Sequence, residues 1–168
     1  MMVRGPRKRV AFRRRREGRT DYRLRSRLLR SGLPRAVVRA SNRSTSVQVM
    51  SYDPTGDRVL SSAVSTELRK LGWERSTSSI PAAYLTGYLA GRRALENGVE
   101  KAVLDMGLHV PTKGSRVFAS LKGLLDAGLQ IPCGEEILPS EERTRGEHIG
   151  EDAVKAFEAV MSKMEDGK

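Results

Sequence analysis

The chain has 168 residues but only one cysteine, Cys133, and two histidines, His109 and His148. A lone thiol excludes an intrachain disulfide and fits a reducing environment. Three such residues, this far apart, are too few for a zinc site, so no metal is expected. Cys133 follows Pro132 and has no base near it in sequence, and no Gly-x-Ser-x-Gly elbow occurs. The chain is therefore read as not an enzyme, with no cofactor and no small-molecule substrate. The acidic pairs Glu135-Glu136 and Glu141-Glu142 are read as solvated surface, because adjacent carboxylates on a loop point apart. No run of about 18 apolar residues is present, so no membrane span is expected. The basic N-terminal stretch lacks the apolar core of a secretory signal after Arg16. It is also too poor in serine for a mitochondrial transit peptide.

Positive charge is what the chain has in excess, and it is unevenly spread. The formal net charge is +11, from 31 Lys and Arg against 20 Asp and Glu. Residues 1 to 43 carry 16 of those cations and only two acids, Glu17 and Asp21. The remaining residues hold 15 cations against 18 acids, so the whole excess lies in the first quarter. Such a segment implies a polyanionic partner. Arginine outnumbers lysine 15 to one there, and arginine grips phosphate bidentately and stacks on bases. Phe12 and Tyr22 lie among the arginines, able to stack on unpaired bases. RNA binding is the favoured reading from the residues alone. An enzyme body with a targeting tail would need a convergent catalytic set. A membrane-surface module would need a broader apolar stripe than Leu24, Leu28 and Leu29 provide.

Residues 3 to 16 have too few apolar groups for a core and are expected to be disordered without an anion beside them. Thr20 to Ser31 reads as a short basic helix capped by Thr20 or Asp21, with Gly32 at its end and Pro34 beyond. Ala36 to Ser41, Ser46 to Tyr52 and Arg58 to Ala63 read as strands joined by short turns, an antiparallel meander. Ala63 to Leu71 reads as a short helix ending at Gly72. Ile80 to Glu96 is the best helix, with Pro81 in its first turn and Gly98 past its end. The small residues Ala83, Gly87, Gly91 and Ala94 along it imply a close approach to a sheet. Lys101 to Met106 reads as a buried strand, Ser115 to Ala127 as a helix, and Leu129 to Ile131 as a brief last strand. Residues 132 to 150 lack periodicity. A terminal helix follows, with Val154, Phe157, Val160 or Met161, and Met164 at helical spacing and Glu151 and Asp152 at its positive end. The fold class is thus α/β, a small layered domain on a mixed sheet, meander followed by strand-helix-strand-helix, with an extended basic arm. The expected division is 1–34 basic extension and short helix, 35–132 α/β core, and 133–168 acidic loop and helix.

Gly107 to Ser115 resembles a nucleotide loop only superficially, since its order is Lys-Gly-Ser and Pro111 removes an amide donor. Lys113 and Arg116, with the amides of Gly114 and Ser115 opening a helix, still form a candidate anion site. Capping by Ser115 explains the same residues equally well.

Longer segments carry a resemblance. Phe12 to Tyr22, Pro34 to Arg43, Pro81 to Gly87, Ala102 to Leu108, Pro111 to Phe118, Glu136 to Arg143 and Gly146 to Ile149 are similar, in order, to the archaeal branch of the ribosomal L-eighteen family. That resemblance implies a small α/β protein of the large subunit's central protuberance, binding 5S rRNA and contacting 23S rRNA. It implies a neighbouring 5S-binding protein of the L-five family, in bacterial naming, as partner. It also implies residue roles: Arg13, Arg14, Arg15, Arg16 and Arg19 neutralise phosphates, and Tyr22 and Arg25 pack the leader helix on RNA. Arg35, Arg39, Asn42 and Arg43 belong to the strand and turn that meet 5S rRNA, with Lys113 and Arg116 as further contacts. The alternative is another RNA-binding protein acting in ribosome assembly.

Overall fold

A computed structural model describes residues 9–166. Its four strands are β1 (Arg35–Ala40), β2 (Thr45–Ser51), β3 (Arg58–Val64) and β4 (Val103–Asp105). They form one sheet in the order β3-β2-β1-β4, with β1–β2 and β2–β3 antiparallel and β1–β4 parallel. The mixed sheet expected from the sequence is therefore present. Short turns allow antiparallel neighbours, whereas the parallel pair requires the long crossover that runs through a helix. The helices are α1 (Arg13–Arg16), α2 (Tyr22–Leu29), α3 (Ile80–Glu96), α4 (Arg116–Asp126), α5 (Glu141–Arg145) and α6 (Glu151–Asp166). Part of the expected leader, residues 3 to 8, lies outside the described residues.

The strand period of two sorts β1 onto two faces. Ala36 and Val38 join Val47, Val49 and Ala63 in a fully buried core beneath α3 and α4. Arg35, Val37 and Arg39 take the other face. Beyond α3, a second cluster gathers Leu68, Trp73, Leu85, Phe157 and Val160. It fixes α6 through Phe157, Val160 and Met164, and Ala153 is buried on the same helix. Val154, expected on that face, is only half-buried, and Ala153 takes its place.

The small residues of α3 serve a different neighbour from the one expected. Gly87 and Gly91 lie against α4, not the sheet: a Cβ on Gly87 would fall 2.1 Å from the carbonyl oxygen of Ser120, and one on Gly91 would fall 2.7 Å from Cβ of Ala127. Gly123 of α4 answers in kind, its missing Cβ standing 2.2 Å from the carbonyl oxygen of Tyr84. Both positions face backbone, which cannot step aside as a flexible side chain can. Gly87→Ala and Gly123→Ala are each expected to destabilise the fold by about 3 kcal/mol, the upper range of overpacking, read as a fall in the urea midpoint. A wild-type midpoint would mean that the two helices can separate at little cost.

Two other expectations are refined and one is corrected. The segment after β3 is a 3-10 helix over Ser65–Leu71, closed by left-handed Gly72 at φ 99°. Leu129 to Ile131 forms only a single parallel bridge, Gln130 to Lys101, and not a strand. Residues 132 to 150, without periodicity, hold α5 and two 3-10 turns, Glu135–Ile137 and Glu147–Ile149. On β3, Arg93 of α3 and Asn97, which caps the end of α3, reach the strand's carbonyls: Arg93 donates to Ser62 at 2.6 Å and Asn97 donates to Leu60 at 2.9 Å.

Candidate nucleic-acid interface

The register of β4 on β1 builds the centre of the site. Val37 stands opposite Asp105, which sets this carboxylate between Arg35 and Arg39, the residues two before and two after Val37. Arg35 donates from Nη1 to Asp105 at 2.6 Å and from Nη2 to Asp57. Arg39 donates from Nη2 to Asp105 Oδ1 at 3.0 Å and from Nη1 to the Asp105 and Val38 carbonyls at 2.7 and 2.8 Å. Arg25, from α2, closes the row by donating to the second oxygen of Asp57 at 2.9 Å. Three arginines and two aspartates thus alternate across α2, the turn before β3, β1 and β4. Arg35, at the centre, is only 3% exposed. It therefore lies almost wholly inside the protein, while its neighbours Arg25 and Arg39 reach the surface. Burial pushes the Asp57 carboxyl up. The Arg25 hydrogen bond and the charges of Arg35 and Arg25 outweigh that and hold it below the usual carboxylate range.

The leader folds over this row. Asp21, not Thr20, caps α2: its carboxylate accepts from the amides of Arg23 and Leu24 at 2.8 and 3.2 Å. Those bonds, Leu24 first, lower its pKa. Thr20 accepts from Arg14 Nε at 2.9 Å instead. The Phe12 and Tyr22 rings pack at 5.2 Å between centroids, tilted by 46°. Glu17 pairs with Arg13 at 3.7 Å and Arg19 at 3.3 Å. No residue of α1 is buried, so Arg13, Arg14, Arg15 and Arg16 all meet solvent. Between leader and sheet lies a cleft of about 470 Å³. Arg14, Arg19, Tyr22, Arg25, Arg39 and Gly107 are among its walls.

A second basic feature crowns the β1–β2 hairpin. Ser41 closes the turn, its hydroxyl accepting from the amides of Arg43 and Ser44 at 3.3 and 3.0 Å. This leaves Asn42 and Arg43 exposed at the tip. Two residues brace that tip from behind: Arg116 donates to the Ser41 carbonyl at 2.6 Å, and Thr77 donates to the Arg43 carbonyl at 2.6 Å. Arg116 therefore holds the turn that carries Asn42.

The anion site expected at the start of α4 is not built as such. The Gly114 amide donates to the Ile137 carbonyl at 3.0 Å, and the Ser115 amide to the Thr112 carbonyl at 3.1 Å. Ser115 makes no side-chain cap bond either. Lys113 is exposed and pairs with Glu136 at 3.4 Å. Among the described residues no group of three His, Cys, Asp or Glu is placed to hold a metal ion, and no helix is long and apolar enough to cross a membrane.

Sequence reasoning missed Asp57, Asp105 and Gly107. The signal was there for Asp105, an acid inside an otherwise apolar strand, which requires a buried cation. Nothing comparable marked Asp57 within its polar turn.

A family model described as "Ribosomal large subunit proteins 60S L5, and 50S L18" matches residues 6–101 and 96–134. The large ribosomal subunit protein uL18 of Aeropyrum pernix is 60% identical over 151 residues, covering 89% of this chain and 71% of that protein. The protein of the same name from Methanothermobacter thermautotrophicus is 51% identical over 162 residues, 96% of this chain and 84% of that protein. The one from Haloarcula marismortui is 55% identical over 150 residues, 89% of this chain and 80% of that protein.

Proposed function

Because the chain belongs to the uL18 family of large ribosomal subunit proteins, we propose that it binds 5S rRNA and helps attach it to 23S rRNA in the central protuberance, beside a 5S-binding protein of the L-five family. Its place in the large subunit follows from the family, which is structural and not a class of enzymes. The finer assignment rests on one observation above all. The leader arginines Arg14, Arg15 and Arg16 are exposed on a segment that buries nothing of its own and, among the described residues, are paired with no acid; Glu17 takes Arg13 and Arg19, and Asp57 and Asp105 are consumed within the sheet. A surface so arranged presents uncompensated cations to phosphate.

The mechanism is adhesive. Leader arginines neutralise phosphates and give affinity, and the folded body, through Arg39 and the hairpin tip at Asn42 and Arg43, fixes register. RNA duplexes are recognised largely by shape and backbone, and unpaired bases by stacking on aromatic and guanidinium planes. Arg35 and Arg116 act from behind this surface, holding its parts in place. Lys113, paired with Glu136, is at most a peripheral contact.

A mobility-shift titration with 5S rRNA, with transfer RNA as competitor, tests the assignment. Binding to 5S rRNA should survive a transfer RNA excess; equal competition would reduce the protein to a general RNA binder. Cys133 is half-buried against the core and His109 is exposed. Cys133→Ala and His109→Ala are expected to leave 5S binding within about twofold of wild type, with a small stability loss at Cys133 alone. A stoichiometric active-site label on Cys133, lost on unfolding, would count against a purely structural protein.

A further inference from the structure

The cleft between leader and sheet differs in kind from the rest of the basic surface. It is concave, and its volume of about 470 Å³ falls within the roughly 300–1,000 Å³ of small-ligand sites. An RNA duplex cannot enter such a space, but a single residue turned out of the helix can. Five arginines and three aspartates line it, leaving a formal excess of two positive charges. Both oxygens of Asp57 and of Asp105 already accept from arginines, and Asp105 Oδ1 takes the Gly107 amide as well at 2.9 Å. Asp57 and Asp105 are thus each neutralised by two arginines, and Asp21 is engaged by the amides that open α2.

The two ends of the cleft offer different chemistry. Arg14 and Arg19, on the leader, are held only through Nε, leaving their terminal nitrogens for a phosphate. Arg39 is the reverse. Both its terminal nitrogens are bonded to carbonyls or to Asp105, yet its side chain is 45% exposed. An arginine so tied offers its flat face more than its charged fork. Gly107 explains how that face is set: at φ 64° it has no Cβ, and one there would lie 2.8 Å from Arg39 Cζ. The guanidinium rests directly on the Gly107 backbone, a floor for a base.

We infer that this cleft receives one unpaired nucleotide of the bound RNA, its base stacked on the Arg39 guanidinium and its phosphate held by Arg14 and Arg19. The inference rests on the RNA-binding reading above and adds to it a discrete receptor. Recognition of extruded bases by stacking between side-chain planes is a general route to specificity that a duplex backbone cannot supply.

The test uses full-length protein and 5S rRNA, footprinted by 2′-hydroxyl acylation and by phosphate-directed cleavage. Wild-type protein should change the acylation of one unpaired nucleotide far more than that of its neighbours. Arg39→Lys, which keeps the charge but loses the plane, should abolish that single change, leave the phosphate footprint in place and weaken binding about tenfold. Gly107→Ala, which displaces the guanidinium without touching any charge, should do the same with an unchanged salt slope. If both variants bind and footprint as wild type does, or if their losses spread evenly along the RNA, the receptor is refuted while 5S binding stands. If wild-type protein leaves no footprint on 5S rRNA, the 5S assignment itself falls, and this inference with it.

Discussion

Replacing Arg13, Arg14, Arg15 and Arg16 together with glutamine is expected to flatten the slope of log affinity against log salt by roughly 3 units, taking about four phosphates at about 0.7 to 0.9 each. Extrapolated to near-physiological salt, that corresponds to a loss of roughly two orders of magnitude in 5S affinity. The fold should be untouched, because α1 buries no residue; the circular dichroism spectrum and melting point would show this directly. Asn42→Ala supplies the contrast. It sits exposed at the hairpin tip and carries no charge, so it should weaken binding without moving the slope. A four-glutamine variant that kept the wild-type slope would remove the leader from the phosphates, and the arginines would then be better read as an address.

The second large effect is on stability. Arg35→Met removes the cation shared by Asp57 and Asp105, whose side chains are only 15% and 8% exposed. Breaking a buried pair by deleting one partner costs about 3–5 kcal/mol. Here Arg25 and Arg39 still hold one oxygen of each acid, so the expected cost is near the lower end, about 3 kcal/mol. Adding Asp57→Asn and Asp105→Asn should recover most of it, since the uncompensated charge is gone. The same triple variant should still bind RNA poorly, because Arg25 and Arg39 lose the groups that aim them. Denaturant midpoints and 5S affinities measured on both variants separate the two roles.

Acid adds a signature. The folded-state pKa of Asp57 is depressed, so its contribution to stability is complete above the unfolded carboxylate value and is lost as pH falls through the folded one. Wild type should therefore lose stability below about pH 4. Arg35→Met, with a smaller depression, should show a shallower loss there. An identical pH profile for the two proteins would remove Arg35 from the account of Asp57.

The strands and the two long helices were legible because their periodicity and punctuation agreed: Pro81 opens α3, and Gly98 and Gly128, both at positive φ, follow α3 and α4. The short helical turns between residues 135 and 149 were not, since three to five residues cannot display a period. Leu129 to Ile131 has strand composition, yet it makes only one bridge, at Lys101. The glycines of α3 announced a close approach but not to what; only the packing of α4 chose between helix and sheet. Within the site, the charge excess of the leader was plain, and so was Asn42 in its turn. The status of Arg35 was not. By type it matched its neighbours, and its burial depends on Asp105, 70 residues away, and on a one-residue choice of strand register. Arg116 was noticed for its charge, but nothing local reveals that its Nη1 also braces the Ser41 and Ser78 carbonyls.

The sheet has a margin at β3, and margins are where proteins of this architecture stick to one another. A free row of strand amides and carbonyls will template a neighbour's backbone, and natural proteins blunt it in various ways. Here the carbonyls of Leu60 and Ser62 are already taken by Asn97 and Arg93, and a bulge between Val49 and Met50 perturbs the register of β2 with β3. A second copy approaching that margin would meet two carbonyls that are already engaged. A large-subunit ribosomal protein that is not yet assembled is thereby less prone to pair with its own kind along this edge.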